Sequence, residues 1–196
     1  MTLSLEQRLA RKYRVGASEV AALLTPSAHP WVTPQAIYDR IINGVEPETN
    51  HAMVIGQLAE PHVLAMARDY YRLRAVACTR SYVHPRLPVA ASPDAYIRDG
   101  QGLVEIKTTS SNWVDQPPEH VVVQVQCQLW LAHRSYAHVV VWQGSQLRLF
   151  TLEADGLVAS SIEGAVRRFT EDHLRPHIPP IAVPVSRDFH MEAITP

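Results

Sequence analysis

The sequence predicts an α/β protein of the α+β kind, with strands gathered into hairpins and helices filling the stretches between them. Two observations carry that prediction. Residues 89 to 108 read as two short apolar runs around Asp99-Gly100, and residues 136 to 152 as two more around Gln143-Gly144-Ser145. The segments before, between and after these pairs carry helical periodicity instead. At 196 residues, 46% of them hydrophobic, the chain can bury a substantial core. We expect one domain over residues 1–175 and a proline-rich tail over 176–196, either loosely docked or strapped onto a neighbouring subunit or partner. A net charge of -1 argues against a protein that coats nucleic acid through bulk positive charge and leaves a local basic channel open. Cys78 and Cys127 are too few for an iron–sulfur cluster and lack CxxC spacing, so both are expected as buried, reduced thiols. No apolar run approaches a membrane span and the polar N-terminus has no signal-peptide core, which implies a soluble, cytoplasmic protein.

Taken in order, Leu3 to Tyr13 sets Leu5 and Leu9 among charged and polar residues, which suits a short surface helix. The next stretch, RVGAS, reads as a break, with Ser18 as N-cap of a helix through Glu19 to Leu23. Free N–H groups and the helix dipole favour phosphate at such a terminus. With Arg11 and Arg14 just upstream, the segment is either a phosphate pocket or a capped helix beside solvated arginines. Thr33-Pro34 opens another helix, which Gly44 closes. Residues 51 to 73 show a long helical pattern that Pro61 should bend or restart. Glu60, just before that proline, belongs to the polar face unless the helix packs over the hairpin of residues 89 to 108.

Val76 to Val83 reads as a strand that pairs with Val89 to Ile97, so that three strands form a meander. In EHVVVQVQCQLWLAHR the valines favour a strand, whereas Val121, Val125, Leu129 and Ala132 repeat as one helical stripe behind Pro117-Pro118. Periodicity decides for helix. Gln124 and Gln128 then share a second face and Gln126 points elsewhere; an amide there either orients water or phosphate or is simply solvated. Tyr136 to Trp142 and Leu147 to Leu152 form the second hairpin, and Asp155 to His173 an amphipathic helix. Ten histidines lack HxxxH or HExxH spacing, so spacing nominates none as a ligand.

The first hairpin carries the chemistry. Asp99-Gly100 is a dipeptide favoured at the centre of a type I′ turn. Counting outward, Tyr96 faces Leu103 and Asp94 faces Glu105, while Lys107 shares the side of Glu105 because side chains repeat every second residue. Directly opposed like charges destabilise a sheet, so the pair is most simply kept to hold a cation.

The assembled motifs RVGASEVAALL, GQLAEP, SPDAYI, LVEIKTTS and VVQVQCQLW, in that order, resemble those of the phage lambda exonuclease and YqaJ-type viral recombinase family, within the PD-(D/E)XK nuclease superfamily. The resemblance covers most of residues 8 to 152 and implies a restriction-endonuclease-like core, a central mixed sheet flanked by helices. It implies that Asp94 and Glu105 are metal-binding carboxylates, that the main-chain carbonyl of Ile106 completes the shell, and that Lys107 is the motif lysine. Glu60 matches the helix-borne glutamate beside the metals, and Gln124 the glutamine of the later helix. Arg11, or else Arg14, together with Ser18 matches the region that receives a 5′-terminal phosphate. Ala95 replaces the glycine common after the aspartate, and Thr108-Thr109 departs from the usual proline after the lysine. His84 stands where the lambda enzyme has an additional acid, which puts the second metal in question.

The expected activity is therefore Mg²⁺-dependent hydrolysis of phosphodiesters, with Mn²⁺ as substitute because the donors are hard oxygens. The family adds 5′ to 3′ digestion of one strand of linear double-stranded DNA from its ends, a ring-shaped homotrimer, a single-strand annealing protein as partner, and a phage or prophage origin. Competing readings are a structure-selective endonuclease on the same fold and a catalytically silent module that binds DNA ends.

Overall fold

The computed structural model describes residues 5–25, 29 and 31–181. Most of the expected tail, residues 182–196, lies outside the described residues. The larger sheet has five strands, β2 (Ala75–Ala77), β5 (Ala95–Ile97), β6 (Gly102–Thr109), β7 (Tyr136–Gln143) and β8 (Gln146–Glu153), side by side in that order. β6 and β7 run parallel and the other neighbours antiparallel, so the sheet is mixed. A parallel pair needs a crossover, and helix α5 (Glu119–Ala132) supplies it. A smaller sheet joins β1 (Val15–Gly16), β4 (Val89–Ala91) and β3 (Tyr82–Val83) in the order β1-β4-β3.

The expected three-strand meander is broken. Residues 76 to 83 and 89 to 97 each split in two: β2 pairs with β5 in the large sheet, and β3 with β4 in the small one. Both runs change sheet at the same level, where Ser92-Pro93 interrupts one and Cys78 to Ser81 the other; Pro93 has no N–H to give a ladder, and the Ser81 and Ser92 hydroxyls meet at 2.7 Å across the gap. The hairpin register is as counted, Ala95 opposite Val104 and Tyr96 opposite Leu103. The turn is not type I′. Gly100 donates to the Ile97 carbonyl at 3.1 Å, so Arg98 and Asp99 are the central residues, and only Gly100 (φ 80°) has positive φ. The Asp99 carboxylate instead accepts from the Gln101 and Gly102 amides, which leaves the register unchanged because the loop still closes between Ile97 and Gly102. The second hairpin closes at Gly144-Ser145, with Gly144 at φ 60°.

Helices cover both faces of the large sheet. α4 (His51–Tyr70) packs Ala59, Val63, Leu64 and Ala67 against Ile97, Val104, Ile106 and Val140. It runs through Pro61 without ending; side-chain burial along its inner face holds the helix together despite the lost backbone hydrogen bond. On the other face Val121, Val125, Leu129 and Ala132 of α5 meet Leu103, Ala137 and Val139, as their stripe predicts. The opposite side of α5, through Val123, Cys127 and Leu131, enters a second core with Val15, Ile37, Val89 and Ile162. A helix apolar nearly all round is an interior helix, which is why its valines do not make it a strand. Among the described residues no helix is long and apolar enough to cross a membrane.

The remaining helices lie in or beside this second core. α1 (Leu5–Arg11) turns Leu5 and Leu9 outward and buries Gln7, whose amide donates toward the Cys78 and Arg80 carbonyls; the apolar pair does not face the core. Ser18 is not an N-cap. It lies inside a 3₁₀ turn (Ala17–Glu19) where Glu19 accepts from the Gly16 amide at 2.7 Å, and α2 (Ala21–Leu24) follows directly. α3 (Pro34–Tyr38) starts as expected with Thr33 accepting from the Ala36 amide, and its π-helical continuation ends at Gly44 (φ 69°). α6 (Gly156–Phe169) is capped by Asp155 and packs Ile162 and Val166 into the same core.

Candidate active site

β5 begins only at Ala95, opposite Val104, so the edge of β6 beyond Val104 has no strand partner on that side. Asp94 takes that place: its carboxylate accepts from the Ile106 amide at 2.6 Å. A strand residue points its N–H and C=O to the same edge, so the Ile106 carbonyl opens beside Asp94. The side chains of Glu105 and Lys107 project to the α5 face, as the alternation along β6 requires. Glu105 is 3% exposed and both of its oxygens are engaged. Oε1 meets Lys107 Nζ at 2.8 Å and the Gln124 amide at 2.5 Å, and Oε2 accepts from the Gln128 amide at 2.7 Å. Lys107 also donates to Gln124 Oε1 at 2.9 Å, closing a ring of three side chains. Desolvation, then the nearby Glu105 carboxylate, pushes the Asp94 carboxyl up to about 8. Asp94, Glu105 and the Ile106 carbonyl are hard oxygen donors, the kind that could hold a divalent cation.

Glu60 is half-buried on α4 and shares a helix face with Gly56, where an added Cβ would stand 3.2 Å from the Thr108 hydroxyl. The helix does pack over the hairpin, but against the face of β6 opposite Glu105, so Glu60 can approach the site only around the edge that Asp94 occupies. Among the described residues, no three His, Cys, Asp or Glu side chains gather closely enough to hold an ion by themselves.

A narrow cleft runs from Gln124 and Gln128 to Arg11, Ser18 and Ser92. Arg11 donates to the Ser18 hydroxyl at 3.3 Å, so these two expected phosphate ligands share one wall. Arg14 is elsewhere: its guanidinium turns back to the Ala10 carbonyl at 3.0 Å. Sequence reasoning missed what braces this wall. Arg40 pairs with Glu19 at 2.6 Å and donates to the Arg11 and Arg14 carbonyls at 3.0 and 2.9 Å. No local pattern could have shown a bond spanning some two dozen residues, whereas Gln128 was legible as the residue one turn after Gln124. Gln126 leaves the site, donating to the Glu153 carbonyl and accepting from the Asp155 amide. His84 does too; it stacks on Trp130 and accepts from the Arg86 and Leu87 amides. Cys78 and Cys127 are buried free thiols, and burial pushes Cys127 up to about 12.

No protein with a curated description matches the chain. Among solved structures, an alkaline exonuclease from Laribacter hongkongensis is similar over 87% of this chain and 92% of its own, with 25% identity and a TM-score of 0.73. The same enzyme in complex with dAMP gives 24% identity and a TM-score of 0.71, over 86% of this chain and 91% of that one. A phage-related exonuclease from Haemophilus somnus shares the fold at 12% identity, with a TM-score of 0.66 over 81% of this chain and 92% of its own. The model of one family, described as the YqaJ-like viral recombinase domain, matches residues 8–135 and takes in the Arg11–Ser18 wall, the Asp94–Glu105–Lys107 cluster and α5. With that match over well more than half of its length, the chain belongs to the YqaJ-like viral recombinase domain family.

Proposed function

We propose that the protein is a Mg²⁺-dependent exonuclease that digests one strand of linear double-stranded DNA in the 5′ to 3′ direction, leaving single-stranded overhangs for phage-type recombination. The observation that carries this is the half-buried Asp94, just before β5, beside the buried Glu105, with Lys107 bonded to Glu105. The family and the alkaline exonuclease structures support the same reading. Asp94, Glu105 and the Ile106 carbonyl would hold Mg²⁺ or Mn²⁺, with Glu60 approaching from α4 and water filling the remaining positions. A bound Mg²⁺ supplies positive charge that acidifies water and offsets the charge developing on phosphate.

The protein's own groups do the rest. Lys107, held by Glu105 and Gln124, presents its ammonium where it can orient the attacking water or donate to a phosphoryl oxygen. Gln124 bridges lysine and carboxylate and so fixes their spacing. Arg11 and Ser18 bind the 5′-terminal phosphate, which selects an end over an unbroken strand. These contacts read phosphate rather than base edges, so sequence preference is weak. A homotrimer, a single-strand annealing protein as partner and a place in the cytoplasm of a bacterial host complete the reading.

Incubation with 5′-phosphorylated linear duplex and with covalently closed circles, each with Mg²⁺ and with EDTA, tests the proposal. Loss of the linear DNA alone, and only with Mg²⁺, is expected. Nicking of circles at a comparable rate would indicate an endonuclease, and binding of ends with no cutting a silent module.

A further inference from the structure

One cluster beside the cleft has no part in the chemistry above. His120 stands one turn before Gln124 on α5, so His120, Gln124 and Gln128 form a single stripe at i, i+4 and i+8 whose last two members hold Glu105. Its ring lies 5.4 Å from that of His29 and 5.8 Å from that of Trp31, and His29 and Trp31 are 6.2 Å apart. Three rings thus meet at the end of the stripe.

The three are not equally placed. His29 is buried and fixed on both nitrogens: Nδ1 accepts from the Trp31 and Val32 amides at 3.3 and 3.0 Å, which leaves Nε2 to donate to the Ser18 carbonyl at 2.9 Å. The ring is therefore tied to the residue whose hydroxyl faces Arg11. Trp31 is 72% exposed, an unusual position for the largest apolar side chain. Its backbone is anchored through His29, so the indole is presented to solvent from a fixed support. Desolvation, then the neighbouring His29 and Lys107, lowers His120 to about 4. At neutral pH the surface is an uncharged aromatic corner between a phosphate-binding wall and a hydrolytic cluster.

We propose that Trp31, backed by His29 and His120, is a stacking platform for an unpaired nucleobase of the strand whose end enters the cleft; this rests on the nuclease reading above. A strand held by its 5′-phosphate at Arg11 and Ser18 and attacked near Glu105 must place its bases beside that path. A π-face accepts every base, so the platform adds affinity without adding sequence preference.

The test uses the full chain with a 5′-phosphorylated single-stranded oligonucleotide carrying 2-aminopurine at its 5′ end, titrated in EDTA so that nothing is cut. Stacking on Trp31 deepens the quench of 2-aminopurine fluorescence; Trp31→Ala abolishes the added quench and Trp31→Phe keeps most of it. With Mg²⁺ and linear duplex, Trp31→Ala raises KM on the order of 10-fold, within the range measured for a lost base stack, and leaves kcat close to wild type. An unchanged quench and KM in Trp31→Ala would overturn the platform, and so would an unchanged KM with an altered solution mass, which would assign the indole to a subunit contact. A wild-type protein that cuts no DNA would remove the nuclease reading, and the quench in EDTA would still judge the platform by itself.

Discussion

Glu105 is held from three sides, and each holder has a separable effect. Lys107 touches it without being a ligand for a cation, so Lys107→Ala is expected to abolish cleavage while leaving Mg²⁺ binding by calorimetry largely intact. Wild-type rates in that variant would remove the lysine from the mechanism. Gln128, 1% exposed, fixes the second carboxylate oxygen, and loss of such an outer hydrogen bond typically lowers metal affinity about 10- to 100-fold. Gln128→Leu is expected to weaken Mg²⁺ binding on that scale. Asp94 supplies a pH test. Its folded pKa of about 8 lies above the unfolded value, so the native state binds more protons in between and stability falls as pH rises through that window. His29, His84, His120 and His138, all lowered, have the opposite effect, but only below about 6.5, their unperturbed value. Between pH 6.5 and 8 the metal-free melting temperature should therefore drop, and Asp94→Asn should flatten the slope.

At the scale of elements, local chemistry was legible and long-range switches were not. Tyr96 opposite Leu103 followed from counting, since the loop closes symmetrically whichever residues form its turn. Glu105 with Lys107 followed from strand alternation, and Gln124 with Gln128 from helical spacing. The break of two strands at one level did not follow, because the Ser81–Ser92 contact that marks it joins two separate segments. The inward turn of Gln7 on the expected surface helix α1 was not legible for a similar reason: its burial depends on the Cys78 and Arg80 carbonyls, which no local pattern contains. β6 and β7 also meet at a point that invites a substitution. Opposite Tyr136 stands Gly102, where an added Cβ would come 2.5 Å from the ring, and the Tyr136 hydroxyl is tied to Asp99 at 2.6 Å. Gly102→Ala is expected to lower unfolding free energy in urea by about 1–3 kcal/mol, the usual cost of overpacking.

The whole molecule places the Arg11–Ser18 wall of its N-terminal segment against a carboxylate–lysine cluster from its central hairpin, with α5 contributing the amides between them. In the proposed reading, that arrangement turns a cation site into a reader of DNA ends. α1 and the turn after it leave Leu5, Leu9 and Tyr13 exposed, and the first half of α4 leaves Met53, Ile55 and Leu58 so. Such surface suits contacts between copies, and the trimer reading expects three chain masses in solution by light scattering. Polarity remains the central claim. Duplexes with a 5′-phosphate, labelled on one strand at either the 5′ or the 3′ end, should with Mg²⁺ lose the 5′ label first, as mononucleotide, while the 3′ label stays on shortening strands. Earlier release of the 3′ label, or release of both without Mg²⁺, would contradict the account.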